Sequence, residues 1–210
     1  MVEVLPAILE KSFDAIQQKL NRLKGVSKFA QIDVADGVFV EEKTWNDPKQ
    51  LGKLLNGVKL DIHLMTDRPE QWIQDCNSSP VFRFTFHYEA TYDVLRTVRI
   101  IKDLKKEVCV AINLDTPVRV LYDIINQIDV VLIMGINPGA QGRKFDPLAT
   151  DKVYELREHD DNIKIAVDGG ITPIVAESLI DAGANVLISG SYVFGEDDIS
   201  VAMKSLGGEN

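Results

Sequence analysis

The chain has little cysteine, no excess of positive charge and no long apolar run. Cys76 and Cys109 are the only cysteines in 210 residues. Standing far apart with no ligand spacing, they read as free thiols in a reducing compartment. Lysine and arginine number 23 against 32 aspartates and glutamates, a net charge of −9. That balance argues against nucleic acid or an anionic membrane as partner. An anionic substrate would gain nothing from long-range steering and would need local donors. No apolar stretch approaches the ~18 residues of a membrane span. Met1-Val-Glu-Val-Leu-Pro6 shows neither a basic leader nor a signal-type core, so the expected location is cytoplasmic. No Pro/Ser-rich linker breaks the composition, and residues 1–210 read as one domain around one core.

What the chain does have is a regular alternation of short apolar runs and amphipathic segments, eight times over. The runs end near Leu5, Asp33, His63, His87, Asn113, Met134, Asp168 and Ser189. From Asp33 onward successive ends fall 21 to 34 residues apart, the length of one βα unit. Between them Ser12 precedes a face of Ile16, Leu20 and Leu23, and Asp47-Pro48 opens a stretch carrying Leu51, Leu54 and Leu55. Tyr92, Leu95 and Val98 form another face, as do Val153 and Leu156. Thr116-Pro117 and Thr172-Pro173 pair a capping residue with proline at the first helical position. Asp197 or Asp198 can cap a last helix through Ala202 and Met203. The pattern predicts a single (β/α)8 barrel. A doubly wound open sheet is the alternative, but it usually has fewer strands and a glycine-rich turn after the first.

Two strand ends offer glycines where a phosphate would need backbone N–H groups. Ile163-Lys-Ile-Ala-Val-Asp168 runs into Gly169-Gly170 ahead of a helix start, and Val186-Leu-Ile-Ser189 runs into Gly190-Ser191. Glycine permits close approach of the backbone, and a helix N-terminus favours an anion. Asp33, His63, His87, Asn113 and Asp168 each close an apolar run. In a barrel those positions converge on the C-terminal mouth, where such folds place their chemistry.

The same residues resemble the ribulose-phosphate 3-epimerase family. The resemblance runs through Gln31-Ile-Asp33-Val-Ala-Asp36-Gly37, Asp61-Ile-His63-Leu-Met65 and Thr85-Phe-His87-Tyr-Glu89-Ala90. It continues in Met134-Gly-Ile-Asn-Pro138-Gly139-Ala-Gln-Gly142-Arg-Lys-Phe145, Val167-Asp168-Gly169-Gly170-Ile171 and Gly190-Ser191-Tyr-Val-Phe194. The resemblance implies interconversion of D-ribulose 5-phosphate and D-xylulose 5-phosphate, or a related ketose phosphate, with Asp33 and Asp168 exchanging the C3 proton on opposite faces. It implies one divalent cation (zinc, iron, manganese or magnesium) at Gln31, Asp33, His63 and Asp168, and a homo-oligomer. Phosphate contacts fall to Gly142, Gly169, Gly170, Gly190 and Ser191, and further substrate contacts to Met134, Gly139 and His87, with packing under the mouth an equal reading for His87.

Four departures lie in the site itself. Gln31 stands where the family has its first metal-binding histidine. Ala7 replaces a serine and Ala35 a methionine, and the sixth loop reads Ala140, Gln141 and Arg143. An amide oxygen is a harder and weaker ligand than imidazole. Arg143 is either a new anion contact or a solvated charge. A catalytically inactive or substrate-shifted phosphosugar-binding barrel is therefore the alternative function. Decarboxylation of a sugar-acid phosphate ranks below both, because Asp-x-Lys-x-x-Asp would be needed and the third strand has His63 and Thr66. His159, Trp45 and Trp72 read as surface or packing groups.

Overall fold

Eight parallel strands close in sequence order, with β1 hydrogen-bonded to β8, which excludes the open doubly wound sheet. The structure, a computed structural model, describes residues 2–54, 57–78, 80–139 and 142–208. The strands are β1 Glu3–Ile8, β2 Phe29–Ala35, β3 Lys59–Met65, β4 Val81–His87, β5 Glu107–Ile112, β6 Val130–Met134, β7 Lys164–Asp168 and β8 Val186–Ser189. Helices α1 Phe13–Arg22, α2 Pro69–Cys76, α3 Val94–Asp103, α4 Leu148–His159, α5 Pro173–Asp181, α6 Ser191–Gly195 and α7 Ile199–Ser205 surround them. Among the described residues no helix is long and apolar enough to cross a membrane.

Period-two alternation divides the strands between two cores. One face of each strand packs outward against the helices, as Ile32, Ile62, Phe84 and Leu187 do. The other face fills the barrel. There Leu5, Ala7, Cys109, Ala111, Leu132, Ala166 and Ile188 form an apolar cluster. Across β2 to β4 the matching positions are polar instead: Gln31, Asp33, Asp61, His63, Arg83, Thr85 and His87, all buried. A charged layer lies low in the barrel, where Arg83 reaches Asp61 at 3.4 Å and Glu107 at 2.8 Å. Thr85 Oγ1 donates to Asp61 Oδ1 at 2.7 Å.

Caps explain several helix starts. Ser12 accepts from Ala15 N–H, Asp93 from Arg96 N–H, and Asp198 from Ser200 and Val201 N–H, each satisfying an otherwise orphaned donor. Thr172 precedes Pro173 as expected, although its side chain makes no capping bond. The structure departs from the sequence reading in two connections. Asp47-Pro48 opens only the six-residue 3-10 segment Pro48–Lys53, with Leu55 outside the described residues. Thr116-Pro117 leads to two short 3-10 turns, Val118–Leu121 and Ile125–Gln127. The Thr116 hydroxyl is committed to Glu89 rather than to a cap. Tyr92 lies outside α3 and is 90% exposed. Val98 is buried as expected, and Ile101 completes the apolar face in place of Tyr92.

Candidate active site at the barrel mouth

β2 and β3 each run two residues past Asp33 and His63, so both side chains sit inside the barrel rather than on its rim. Asp168 is the last residue of β7, three steps around the barrel from β2 by way of β1 and β8. Asp33, His63 and Asp168 converge. One oxygen or nitrogen from each lies within 4.8 Å of the others. His63 Nδ1 is 3.1 Å from Asp33 Oδ1 and 3.7 Å from Asp168 Oδ2.

Gln31 reaches the centre of this group. Its Nε2 donates to Asp33 Oδ1 at 2.8 Å and to Asp168 Oδ2 at 2.8 Å, and lies 3.3 Å from His63 Nδ1. Its Oε1 is buried with no hydrogen-bond partner. The two carboxylates that hold the amide, with the His63 nitrogen beside it, are the groups that would hold a divalent cation. Turning the amide over aims its unpartnered oxygen at the same point. The donor set of two carboxylates, one imidazole and one amide oxygen therefore fits a cation, and its oxygen-rich character leans toward manganese or magnesium more than a second histidine would.

Burial raises both carboxyls, to about 7. Repulsion between the pair adds to the rise at Asp168, while Gln31 pulls each part of the way back. Two carboxylates this close do not both ionise readily, so near neutrality one proton is shared between them. His63 and His87 are shifted down by burial and stay neutral.

Around the cluster lies a cavity lined on one side by Ala7, Met65, Met134 and Ile188, and on the other by the turns after β6, β7 and β8. Gly139, Gly142, Gly169, Gly170, Gly190 and Ser191 all line it, so every residue expected at the phosphate is gathered there. No lysine or arginine is among the described lining residues, which leaves backbone N–H groups and the Ser191 hydroxyl as the donors for an anion. Gly169 has φ +106°, and a Cβ on it would stand 2.4 Å from Ile136 Cγ1. A Cβ on Gly170 would meet the Phe145 nitrogen at 2.6 Å. Both positions of this turn are thus closed to larger residues.

His87 is not part of this lining. It lies fully buried behind His63, with Nε2 2.9 Å from His63 Nε2 and the Phe39 ring against its other side at 4.9 Å. Asn113 follows β5, its N–H donating to Glu89 Oε1 at 2.9 Å. Arg143 donates to the Asn137 carbonyl at 3.5 Å, and Ala140 and Gln141 lie outside the described residues. Trp45 packs against Phe13, and His159 ends α4 stacked on Tyr122 at 3.5 Å.

Sequence reasoning overlooked three supporting side chains. Thr44 Oγ1 donates to Asp33 O and accepts from Ala35 N–H, pinning the end of β2. Lys152 Nζ donates to the carbonyls of Asn113 at 2.7 Å and Thr116 at 2.5 Å. Glu89 accepts from the Thr116 hydroxyl as well as from Asn113 N–H. Lys152 left a trace in the sequence: it falls on the stripe of Ala149 and Leu156, where a helix of this kind buries apolar residues.

Fold and mouth together define a class: a parallel (β/α)8 barrel with paired carboxylates, an imidazole and glycine turns at the C-terminal end of its strands. Residues 3–194 match the ribulose-phosphate 3 epimerase family, and the chain belongs to that family of isomerases. It is 32% identical over 221 residues to the ribulose-phosphate 3-epimerase of Bacillus subtilis, covering 99% of each chain. It is 36% identical over 213 residues to the chloroplastic ribulose-5-phosphate-3-epimerase of Arabidopsis thaliana, covering 97% of this chain and 75% of that one. A 3-hexulose-6-phosphate synthase from Salmonella typhimurium shares the fold at a TM-score of 0.72 and 15% identity, over 98% of this chain and 96% of that one.

Proposed function

We propose that this chain interconverts D-ribulose 5-phosphate and D-xylulose 5-phosphate by a 1,1-proton transfer between Asp33 and Asp168. The observation that carries the reading is the carboxyl pair itself. Asp33, buried, and Asp168, half-buried, are both raised to about 7 and hold one proton between them at neutral pH. Epimerisation needs that charge state. One carboxylate takes the C3 proton, and the other, still protonated, returns one to the opposite face. The groups belong to different strands, β2 and β7, which lets a flat intermediate lie between them. When bound at Asp33, His63, Asp168 and the Gln31 oxygen, a divalent cation supplies charge stabilisation for the oxygens of an enediolate. The glycine turns and Ser191 hold the phosphate, and the apolar wall of Met65, Met134 and Ile188 limits water around the reacting carbons.

One observation favours a second reading, a phosphosugar-binding barrel without turnover. Gln31 satisfies both carboxylates with an uncharged amide, so the site is stable without a cation. Incubating the protein with ribulose 5-phosphate in heavy water separates the two. Deuterium entering at C3, with one divalent ion per chain, supports the epimerase. Tight binding of the sugar phosphate with no exchange under zinc, manganese or iron supports the second reading.

A further inference from the structure

The cations missing from the mouth gather at the opposite end of the barrel. Lys59 and Lys164 are the first residues of β3 and β7, and Lys24 and Lys28 lie in the connection from α1 to β2. With Arg83 they line a cavity of about 690 Å³ beneath the strands. Among the described lining residues only Glu3 and Glu107 are carboxylates, and Glu107 is taken, accepting from Arg83 Nη2 at 2.8 Å and Nε at 3.1 Å. The chain has 32 acidic residues. Yet among the described residues none forms an ion pair with Lys24, Lys28, Lys59 or Lys164.

Helix ends do not account for these lysines. Barrel helices turn their C-termini, the negative ends of their dipoles, toward this side. But α1, α3 and α4 carry their own last-turn cations in Arg22, Lys102 and Arg157. Backbone bonds fix the arrangement. Val26 and Ser27 N–H both donate to the Leu23 carbonyl at 2.9 Å, and the Ser27 hydroxyl donates to the Phe29 carbonyl at 2.7 Å. Lys59 N–H donates to the Lys28 carbonyl at 2.8 Å, which sets those two residues side by side. β7 lies four strands round from β3 in the closed barrel of eight, so Lys164 faces them across the opening. Like charges gathered in one concavity repel each other, and low-dielectric walls focus their field on an incoming anion. Phe29 and Phe82, edge to face at 5.0 Å, line the same cavity. Lys59 stands over the first ring at 5.9 Å and Arg83 over the second at 4.9 Å.

We propose that this lower opening is a second binding site, in which the four lysines hold a small molecule carrying several phosphate charges. The cavity has the volume of a small-molecule site. Four separate ammonium groups call for more negative charge than one phosphate ester supplies. None of the four lysines lines the mouth, so the site does not depend on the epimerase reading.

Inorganic triphosphate and ATP are the probes, each titrated without metal into the whole chain and followed by amide NMR. Expected are saturable shifts at Ser27, Lys28 and Gly57, around the lower opening. The Gly169 and Gly190 amides report separately on any phosphate at the mouth. Lys59→Ala with Lys164→Ala should weaken binding at the lower opening roughly 10- to 100-fold. Lys24→Ala with Lys28→Ala, on an independent segment, should do the same. Tighter binding of ATP than of triphosphate would support the site and assign the phenylalanine floor to an organic body. Equal or weaker binding of ATP would support it as a site for inorganic polyphosphate. Shifts confined to the mouth, no shift with either probe, or unchanged affinity in either folded double variant would overturn the proposal.

Discussion

Gln31 Nε2 lies 2.8 Å from Asp168 Oδ2, so a single amide ties β2 to β7 across the floor of the mouth. The same nitrogen holds Asp33, and its two hydrogens are placed where a cation would be attracted. A cation must displace this amide or turn it over before it binds. Gln31→His removes that competition and adds an imidazole nitrogen. It should tighten zinc binding by about tenfold or more, ~1.4 kcal/mol, in a calorimetric titration. Equal affinity in the two proteins would mean that residue 31 does not reach the ion.

The carboxyl pair predicts how proton transfer fails. Asp168→Asn keeps the shape and the Gln31 contact region while removing one acid–base group. Epimerisation should fall by roughly 10²- to 10⁴-fold, while affinity for the substrate changes little. Asp33→Asn should do the same. If either variant retained near-normal rates with ribulose 5-phosphate, measured by coupled assay and by solvent deuterium at C3, that residue would not be one of the two bases.

Much of this architecture was legible because the chain alternates so regularly. Period-two runs ending in Asp33, His63, His87, Asp168 and Ser189 define strands whose polar ends meet at one mouth, and glycine pairs mark the turns beside them. What could not be read was depth. Nothing in the local sequence says that β3 extends to Met65 and draws His63 inward, or that His87 lies behind it and outside the cavity lining. Nor could the pattern show that Thr116 answers to Glu89, 27 positions earlier, instead of capping a helix. Those facts depend on barrel register, which sets β3 against β4 with a shift between Leu60 and Asp61. Gln31 enters the site only through the family resemblance, as the residue standing at the family's first metal-binding histidine. Its bridging of two carboxylates emerged only when β2 and β7 were brought together.

The raised carboxyls also predict a pH dependence of stability in metal-free protein. Folded Asp33 and Asp168 bind protons up to about 7, whereas an unfolded aspartate has released its proton by about 3.8. Between those values the native state holds more protons, so this pair costs increasing stability as pH rises and levels off above the window. His63 and His87 pull the other way below 6.5, because burial lowers them. The informative quantity is therefore a difference. Asp168→Asn should gain in melting temperature relative to wild type as pH goes from about 5 to about 7.5 in chelator. A constant difference across that range would contradict the raised pair.

Gly169 offers a test of the phosphate turn that separates backbone strain from crowding. At φ +106° any side chain is strained, and a Cβ would also collide with Ile136, 2.4 Å from Cγ1 and 2.9 Å from Cδ1. Gly25 has φ +79° with nothing within 4 Å of its Cβ position, so Gly25→Ala reports the backbone contribution alone, ~1 kcal/mol. Gly169→Ala should cost more, about 2–3 kcal/mol. Ile136 lines the cavity, and pushing it aside should raise KM for the sugar phosphate more than it lowers kcat. Inorganic phosphate should bind correspondingly less well to Gly169→Ala and unchanged to Gly25→Ala. Equal destabilisation by the two substitutions, with phosphate binding intact in both, would show that the turn after β7 is a tight connection and not an anion cradle.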